Sequence, residues 1–389
     1  MNLDDLRRHI PVTARMNYLN IGWAGPSPTP VTEAIQLRLE QESSGGPASP
    51  GVVESRKETD RIAKEAAALL INTSPDEILL TDSTTGGINV VISGLPWEQG
   101  DELVTCDLEN PAILIPSYYL QRTHGVIVKV LRFTPDEPHS AILSAIEDAL
   151  SDRTRLVFLS HIQYSSGLRM PAAAIGALLK EKGIRFLLDG AQAVGQIPVD
   201  AGETSCDFYA FPGQKWLMGP SGTGALYIRR EVIPDLEPMK VGFHSVSKFD
   251  LEAGFEVETE LIERFSAGSA SAPLREGFIE SVKFVRDVGI PEIAQHGLKL
   301  ASQLITSLSH VPRVRVLSPT DGPGRSSLVS FTLDGVDNET AANRLWDAHK
   351  IVVRHVRYPD GIRASLAPFN TEDEVEQLVE AVRGFTASI

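Results

Sequence analysis

Two residues with complementary chemistry lie 26 positions apart in this chain. Asp189 closes the apolar, strand-like run Phe186–Leu188, and Lys215 follows a second such run, Phe208–Phe211. An aldehyde cofactor needs a lysine for covalent attachment, and a pyridine nitrogen needs an acidic partner that keeps it protonated. The pair therefore predicts a site for pyridoxal 5'-phosphate, with Lys215 as the attachment point and as the base at the substrate Cα.

Both residues also have purely structural interpretations. Asp189 can cap the turn that follows it, and most lysines are solvated surface residues. However, Lys215 lies among apolar residues, where an ammonium group without a partner is costly. The carboxylate of Asp189 would make the bound ring an electron sink, and Gln192, three residues on, lies within reach of the ring's phenolic oxygen.

A run of hydroxyl residues and glycines, TDSTTGGIN at positions 81–89, passes from a predicted strand into a predicted helix. Unpaired amides at a helix N-terminus form a cradle for anions. Thr84 and Thr85 are therefore the predicted phosphate ligands, and the alternative is an ordinary N-capping turn. The sequence GPSGTG at Gly219–Gly224 precedes a strand instead of opening a helix, so we do not interpret it as a dinucleotide site.

Two arginines, Arg354 and Arg363, flank a predicted turn in the segment HVRYPDGI. The guanidinium fork matches the geometry of a carboxylate, which makes both residues candidate ligands for a substrate carboxylate. The alternative is a pair of solvated surface arginines. That alternative is weaker for Arg363, because it lies in the apolar stretch IRASLAPF.

The elements that would position these residues alternate between short strands and amphipathic helices from Glu77 to Ile228. This βαβ alternation predicts an α/β fold with a large, doubly wound, mostly parallel sheet, whose ligand sites lie beyond the carboxyl ends of the strands. Beyond about Leu261 the pattern indicates a smaller α+β domain. We divide the chain into an N-terminal segment that packs with the small domain (1–20), a large cofactor-binding domain (21–260) and the small domain (261–389).

The composition narrows the classes of partner. The chain has 389 residues and a formal net charge of −15, which disfavours nucleic acid or an anionic membrane as the main ligand. Its N-terminus lacks the apolar core of a signal peptide, and no apolar run is long enough to span a membrane. Cys106 and Cys206 form no zinc-binding pattern and are typical of reduced interior thiols. We expect a cytoplasmic protein.

The segments LLDGAQAVGQIPVD, CDFYAFPGQKW and GPSGTGALYIRRE together resemble the class V, fold-type I pyridoxal-phosphate enzymes. This group includes cysteine desulfurases, cystine C–S lyases and isopenicillin N epimerase-like proteins. Further ordered matches (YLNIGWAGPSP, TDSTTGGIN, SHIQYSSG, RFSAGSA and IRASLAPFNTEDEV) extend the resemblance over nearly the whole chain.

The resemblance implies a role for each matching position. Lys215, Asp189 and Gln192 would contact the cofactor as described above, and Thr84 with Thr85 would bind its phosphate. Ser269 would reach the phosphate of a neighbouring subunit, which implies a homodimer with shared active sites. Arg363 would hold the substrate carboxylate, and Tyr164 would shape the substrate pocket unless it is a packing residue.

The chain departs from the family pattern beside the cofactor. Gln214 stands where a histidine commonly precedes the lysine, Pro212 replaces a Ser or Thr, and Asn110 occupies the position of the ring-stacking aromatic residue. The short HVRYPDGI segment also lacks the persulfide-accepting cysteine of the desulfurases. Substrate specificity is expected in loops such as Ile21–Gly25 and Tyr164–Gly167.

These features predict a carbon–sulfur lyase that performs β-elimination on cystine or a cysteine S-conjugate. Pyruvate, ammonia and a thiol or persulfide would be the products. The substitutions at Asn110, Pro212 and Gln214 leave open an aminotransferase, epimerase or decarboxylating enzyme acting on another amino acid. A non-catalytic binding protein is a third hypothesis, which the presence of Asp189, Lys215 and Arg363 disfavours.

Overall fold

The structure, a computed structural model, describes residues 1–266 and 268–387. These residues form twelve α-helices: α1 (Leu3–Arg8), α2 (Thr29–Gly45), α3 (Pro50–Leu70), α4 (Thr84–Gly94), α5 (Pro111–His124), α6 (His139–Ala149), α7 (Ala172–Lys182), α8 (Ala201–Thr204), α9 (Ala272–Val288), α10 (Ile290–Ser309), α11 (Asn338–His349) and α12 (Glu372–Ala387). They also form fifteen strands: β1 (Asn17–Tyr18), β2 (Ile78–Thr81), β3 (Glu102–Cys106), β4 (Ile127–Leu131), β5 (Thr154–Ser160), β6 (Arg185–Asp189), β7 (Phe208–Pro212), β8 (Gly224–Ile228), β9 (Val246–Asp250), β10 (Gly254–Val257), β11 (Val314–Val316), β12 (Leu328–Leu333), β13 (Ile351–Val352), β14 (Arg354–Arg357) and β15 (Asp360–Ser365).

The large sheet has seven strands in the order β2-β8-β7-β6-β5-β3-β4. All neighbouring pairs are parallel except those of β8, which runs antiparallel to β2 and to β7. The strand order and the helical crossovers confirm the predicted doubly wound, mostly parallel sheet. Strands β5, β6 and β7 lie side by side and parallel, so their carboxyl ends meet at one edge of the sheet.

Alternating side chains bury both faces of this sheet. In β6, Phe186 and Leu188 belong to one hydrophobic cluster and Leu187 to another on the opposite face. In β7, Tyr209 belongs to the first of these clusters and Phe208 to the second. Because successive strand residues point to opposite faces, such near-continuous apolar runs are typical of a sheet covered on both sides.

The C-terminal part contains a separate antiparallel sheet with the order β11-β12-β15-β14 and its own hydrophobic cluster, to which α10, α11 and α12 contribute. The N-terminal segment joins this region, since β1 pairs with β13 and Asn20 bridges to Ser365. Helix α9, in contrast, packs against α2 and α3. The proposed domain division at residues 20 and 260 stays a prediction.

One local prediction was wrong. The segment HVRYPDGI, expected to be a turn between the two arginines, is mostly a hairpin of β14 and β15, in which Arg354 and Arg363 are directly paired. Val356 on β14 and Ile362 on β15 are both buried, and β15 is buried continuously from Gly361 to Ser365, so pairing within the core outweighs the turn signal of Pro and Gly. The described part of the chain has no helix long and apolar enough to cross a membrane. The cytoplasmic location stays a prediction.

A glycine after β6 makes the close packing around Asp189 possible. A β-carbon on Gly190 would overlap the ring of Tyr209, which is fully buried and has no space into which to move. We expect Gly190→Ala to destabilise the protein by about 1–3 kcal/mol through overpacking. Chemical denaturation monitored by circular dichroism measures this change.

Gly384→Ala is the matched control, because a β-carbon at this exposed position of α12 meets no atom within 4 Å. It should leave stability unchanged or raise it by up to about 1 kcal/mol, since alanine has the higher helix propensity. Equal effects of the two substitutions would contradict the packing argument for Gly190.

Candidate active site

A cavity lies at the carboxyl ends of β5 and β6, against the N-terminus of α4. Its wall brings together eight of the residues predicted from the sequence: Thr84, Thr85, Asn110, Tyr164, Asp189, Gln192, Gln214 and Lys215. These residues come from five separate segments of the chain. The cavity is where parallel α/β sheets usually bind ligands.

Asp189 is the last residue of β6 and is buried. Its Oδ1 accepts a hydrogen bond of 2.7 Å from the backbone N–H of Ala191, so the local turn predicted as an alternative is also present. Burial raises the pKa of this carboxyl, while the nearby Lys215 and the bond from Ala191 act in the opposite direction. Among the described residues no hydrogen bond to Oδ2 is recorded, which leaves this oxygen for a cationic partner in the cavity.

Lys215 follows β7 at the wall of the cavity, and the surface that it retains faces the cavity. Burial lowers the pKa of Lys215 to about 8; Asp189 opposes this shift, while Arg363 and Arg354 lower the pKa further. Within the described residues its ammonium group has no ion pair closer than 4 Å. A lysine with a lowered pKa has a substantial neutral fraction near neutral pH, as a nucleophilic amine requires.

The N-terminus of α4 forms the opposite end of the cavity. Ser83 caps this helix by accepting a hydrogen bond of 3.0 Å from the N–H of Gly86. Thr84 and Thr85 follow in the first turn, where backbone N–H groups lack helical partners. Gln214 lines the same cavity, and its Oε1 is buried without a hydrogen-bond partner. The predicted capping turn is therefore present, and the binding of a phosphate by Thr84 and Thr85 stays a prediction.

Asn110 and Gln192, two of the predicted cofactor contacts, form hydrogen bonds with other residues of the chain in this structure. The Oδ1 of Asn110 accepts from the N–H of Ala112 at 2.9 Å and caps α5. The side-chain amide of Gln192 donates to the carbonyl of Gly22 at 2.7 Å and accepts from the indole of Trp216 at 2.9 Å. Their roles toward the cofactor stay predictions.

The hairpin of β14 and β15 places two guanidinium groups together. Arg363 is only 1% exposed and donates to the carbonyl of Tyr164 at 2.7 Å, while its Nε is buried without a partner. Burial, reinforced by the charge of Arg354, lowers the pKa of Arg363 to about 9. No described acidic side chain forms an ion pair with either arginine. A buried cation with unfilled hydrogen-bonding capacity is a site for an anion.

Ser269 does not line this cavity. It borders a neighbouring groove that shares Ser83 and Thr85 with the cavity. Ser269 itself is exposed at the surface of this chain.

Sequence reasoning missed a buried carboxyl group behind the cavity wall. Glu109 accepts hydrogen bonds from the backbone N–H and the hydroxyl of Ser160 and from the amide of Gln163. Burial raises the pKa of Glu109 to about 7, with a further contribution from the charge of Asp189, although these hydrogen bonds oppose the shift. A lone acidic residue before Asn110 carries no signal of this burial in the sequence.

Sequence reasoning also missed His161, a buried residue that forms a hydrogen bond with the backbone of Asp189. The backbone N–H of His161 donates to the carbonyl of Asp189 at 2.9 Å, and its Nδ1 lies 2.9 Å from the hydroxyl of Tyr209. Burial lowers the pKa of His161 to about 3, so the imidazole is neutral. The histidine beside a strand end in SHIQYSSG was the available signal.

Comparisons with known proteins agree with this geometry. The family model described as aminotransferase class-V matches residues 23–378. The chain is 30% identical to a probable cysteine desulfurase of Methanothermobacter thermautotrophicus, over 98% of each chain. It is 28% identical to a probable cysteine desulfurase of Pyrococcus abyssi, over 99% of this chain and 98% of the relative.

Among solved structures, the cystine C–S lyase C-DES in complex with its reaction product cysteine persulfide superimposes with a TM-score of 0.89 and 28% identity, over 96% of this chain and 99% of that chain. A C-DES mutant with glycine covalently linked to its PLP cofactor gives a TM-score of 0.90, also at 28% identity, over 97% and 98% of the two chains. The resemblance seen in the sequence is thereby confirmed. The chain belongs to the aminotransferase class-V family, within its cysteine desulfurase and C–S lyase branch, and has the fold of the fold-type I pyridoxal-phosphate enzymes.

Proposed function

We propose that this cavity binds pyridoxal 5'-phosphate. The donor set fits the group: a lysine of lowered pKa, a buried aspartate at the cavity wall, and a helix N-terminus for the phosphate. Lys215 would hold the aldehyde carbon, and Asp189 the pyridine nitrogen. Thr84, Thr85 and Gln214 would contact the phosphate.

We further propose that the chain is a carbon–sulfur lyase acting on cystine or a cysteine S-conjugate. The observation that carries this proposal is the hairpin of β14 and β15, which has no thiol. The chain has two cysteines, Cys106 and Cys206, and both are fully buried. A reaction that must hand sulfur to an enzyme thiol at this hairpin has no acceptor, whereas elimination releases sulfur in a free product.

The residues of this chain would divide the reaction as follows. Arg363 binds the substrate α-carboxylate and orients the Cα–H bond toward Lys215. The neutral amine of Lys215 then removes the Cα proton, and the electron pair left on Cα expels the sulfur from Cβ. Bound cofactor supplies the electron sink that makes the Cα proton acidic. With cystine and one water, the balanced products are pyruvate, ammonia and cysteine persulfide.

Two guanidinium groups match the two carboxylates of cystine. Arg363 is the more deeply buried and would take the α-carboxylate next to the reacting bond. Arg354 lies beside it on the paired strand, closer to solvent, and would take the second carboxylate. Tyr164 lines the cavity between them and the cofactor site, and its carbonyl already holds Arg363.

We also propose a homodimer in which Ser269 completes the partner's cofactor site. Large apolar side chains in the segment 239–261 are unusually exposed, including Phe243 (85%) and Leu251 (90%). A contiguous exposed apolar surface is typical of a protein interface. This segment leads toward the groove that contains Ser269, Met239 and Lys240.

A second candidate activity is aminotransfer, epimerisation or decarboxylation of another amino acid. The observation that favours it is Asn110, whose amide caps α5 where many relatives stack an aromatic ring on the cofactor. The two candidates differ in their products, so one assay separates them.

Incubation of the holoenzyme with L-cystine should release pyruvate and a persulfide in equal amounts. Lactate dehydrogenase coupling measures the pyruvate, and cyanolysis measures the persulfide sulfur. Pyridoxamine phosphate formation or Cα-proton exchange, without pyruvate from cystine or any S-substituted cysteine, would reject the lyase and support the second candidate.

Lys215→Ala should abolish covalent attachment of the cofactor. After borohydride reduction, peptide mass spectrometry of the wild type should show the reduced cofactor on Lys215 alone, and the variant should show none. Lys180→Ala, which removes an exposed lysine at the end of α7, is the control and should label as the wild type does. An adduct that persists on the Lys215→Ala protein would place the attachment elsewhere.

The rate of cofactor attachment to the apoprotein should rise with pH, because only the neutral amine of Lys215 attacks an aldehyde. We expect a midpoint near the pKa of about 8. Arg363→Gln removes a positive charge that lowers this pKa, so its midpoint should move to higher pH. Asp189→Asn removes a negative charge that raises it, so its midpoint should move to lower pH. Stopped-flow absorbance gives the midpoints, and shifts in the same direction would contradict the charge assignment.

A further inference from the structure

Trp23 projects from an anchored loop close to the two arginines. Its indole is 59% exposed, yet the backbone on both sides is held firmly. The carbonyl of Gly22 accepts from Gln192 at 2.7 Å, and the N–H of Gly25 donates to the carbonyl of Gln214 at 2.6 Å. A single exposed aromatic residue is ordinary by itself, so the informative feature of Trp23 is the contact that its ring makes.

Within the part of the chain that the structure describes, the ring of Trp23 contacts the guanidinium of Arg354. The Arg354 Cζ lies 4.4 Å from the ring centroid, within the range of a cation–π contact. The described acidic side chains form no ion pair with Arg354. The indole face is therefore the main feature that fixes the direction of this side chain.

The direction of the Arg354 side chain matters because the neighbouring Arg363 carries the same positive charge. Arg354 and Arg363 are register partners on β14 and β15, and the charge of Arg354 lowers the pKa of Arg363. Arg363 is held by the carbonyl of Tyr164 and by the Oδ1 of Asn20 at 3.4 Å. The side chain of Arg354 forms no comparable hydrogen bond with residues 1–266 or 268–387, so repulsion would otherwise turn it toward solvent.

We propose that Trp23 is a positioning residue that holds the Arg354 guanidinium beside Arg363, and thereby sets the preference of the site for amino acids with a second, distal carboxylate. The inference rests on the proposed binding of the substrate α-carboxylate at Arg363. It does not depend on cleavage of a carbon–sulfur bond. Gly22 supports the arrangement, since a β-carbon there would lie 3.2 Å from Nη2 of Arg363, so the loop approaches the arginine pair closely.

Two ligands that differ mainly in the distal group test this role. L-2-Aminoadipate and L-norleucine have side chains of similar length, but only the first ends in a carboxylate, and neither has a leaving group on Cβ. Dissociation constants are measured with holoenzyme from the absorbance change of the cofactor. Trp23→Leu should weaken L-2-aminoadipate binding about fivefold, the effect of losing a partly desolvated cation–π contact. Binding of L-norleucine should change less than twofold.

Trp23→Phe keeps an aromatic face and should restore binding of L-2-aminoadipate to within about twofold of the wild type. Trp346→Leu is the matched control. Trp346 lies on α11 and is also partly exposed, and the Nζ of Lys350 lies 4.5 Å from the centroid of its ring. Trp346→Leu should change neither dissociation constant. Equal changes for the two ligands, or no change for either in Trp23→Leu, would overturn the proposal. A wild-type protein that releases no pyruvate from cystine but shows the predicted ligand difference would reject the lyase alone.

Discussion

The site depends on the electrostatic balance around one half-buried lysine. Burial drives Lys215 toward its neutral form, the carboxylate of Asp189 favours the charged form, and two arginines favour the neutral form again. Removing charges from water is costly unless partners replace the solvent. The same cost applies to the charges of Asp189 and Arg363. A bound cation would offset it for Asp189, and a bound anion would offset it for Arg363.

The two sheets supply different charged groups of the site. The parallel sheet brings the ends of β5 and β6 to one edge, so that Ser160 and Asp189 are register neighbours beside the N-terminus of α4. The antiparallel sheet supplies both arginines from one hairpin. The loop Ile21–Gly25, which follows the N-terminal segment, connects these groups, since it contacts Gln192 and Gln214 on one side and Arg354 on the other. A short, hydrogen-bonded loop therefore connects the positions that we propose for the cofactor and for the substrate carboxylates.

Much of this could be predicted from the order and spacing of residues. Apolar runs closed by Asp189 and followed by Lys215 indicated the strands β6 and β7, and the signal at Thr84 indicated the start of α4. The cofactor and phosphate contacts assigned to these residues stay predictions. The hairpin was missed because Pro and Gly in HVRYPDGI suggested a longer turn. Glu109 and His161 were missed because each is a single polar residue whose burial depends on strands distant in the chain.

The sequence by itself determined the strand–helix alternation and the types of the reacting groups, because hydrophobic period and residue chemistry are local properties. Only the tertiary structure decided their environments. Burial lowers the pKa of Lys215, strand pairing sets Arg354 directly opposite Arg363, and the fold carries Trp23 across to Arg354. Desolvation and charge–charge interaction depend on distances in space. For residues more than 300 positions apart, the fold sets those distances and the local sequence does not.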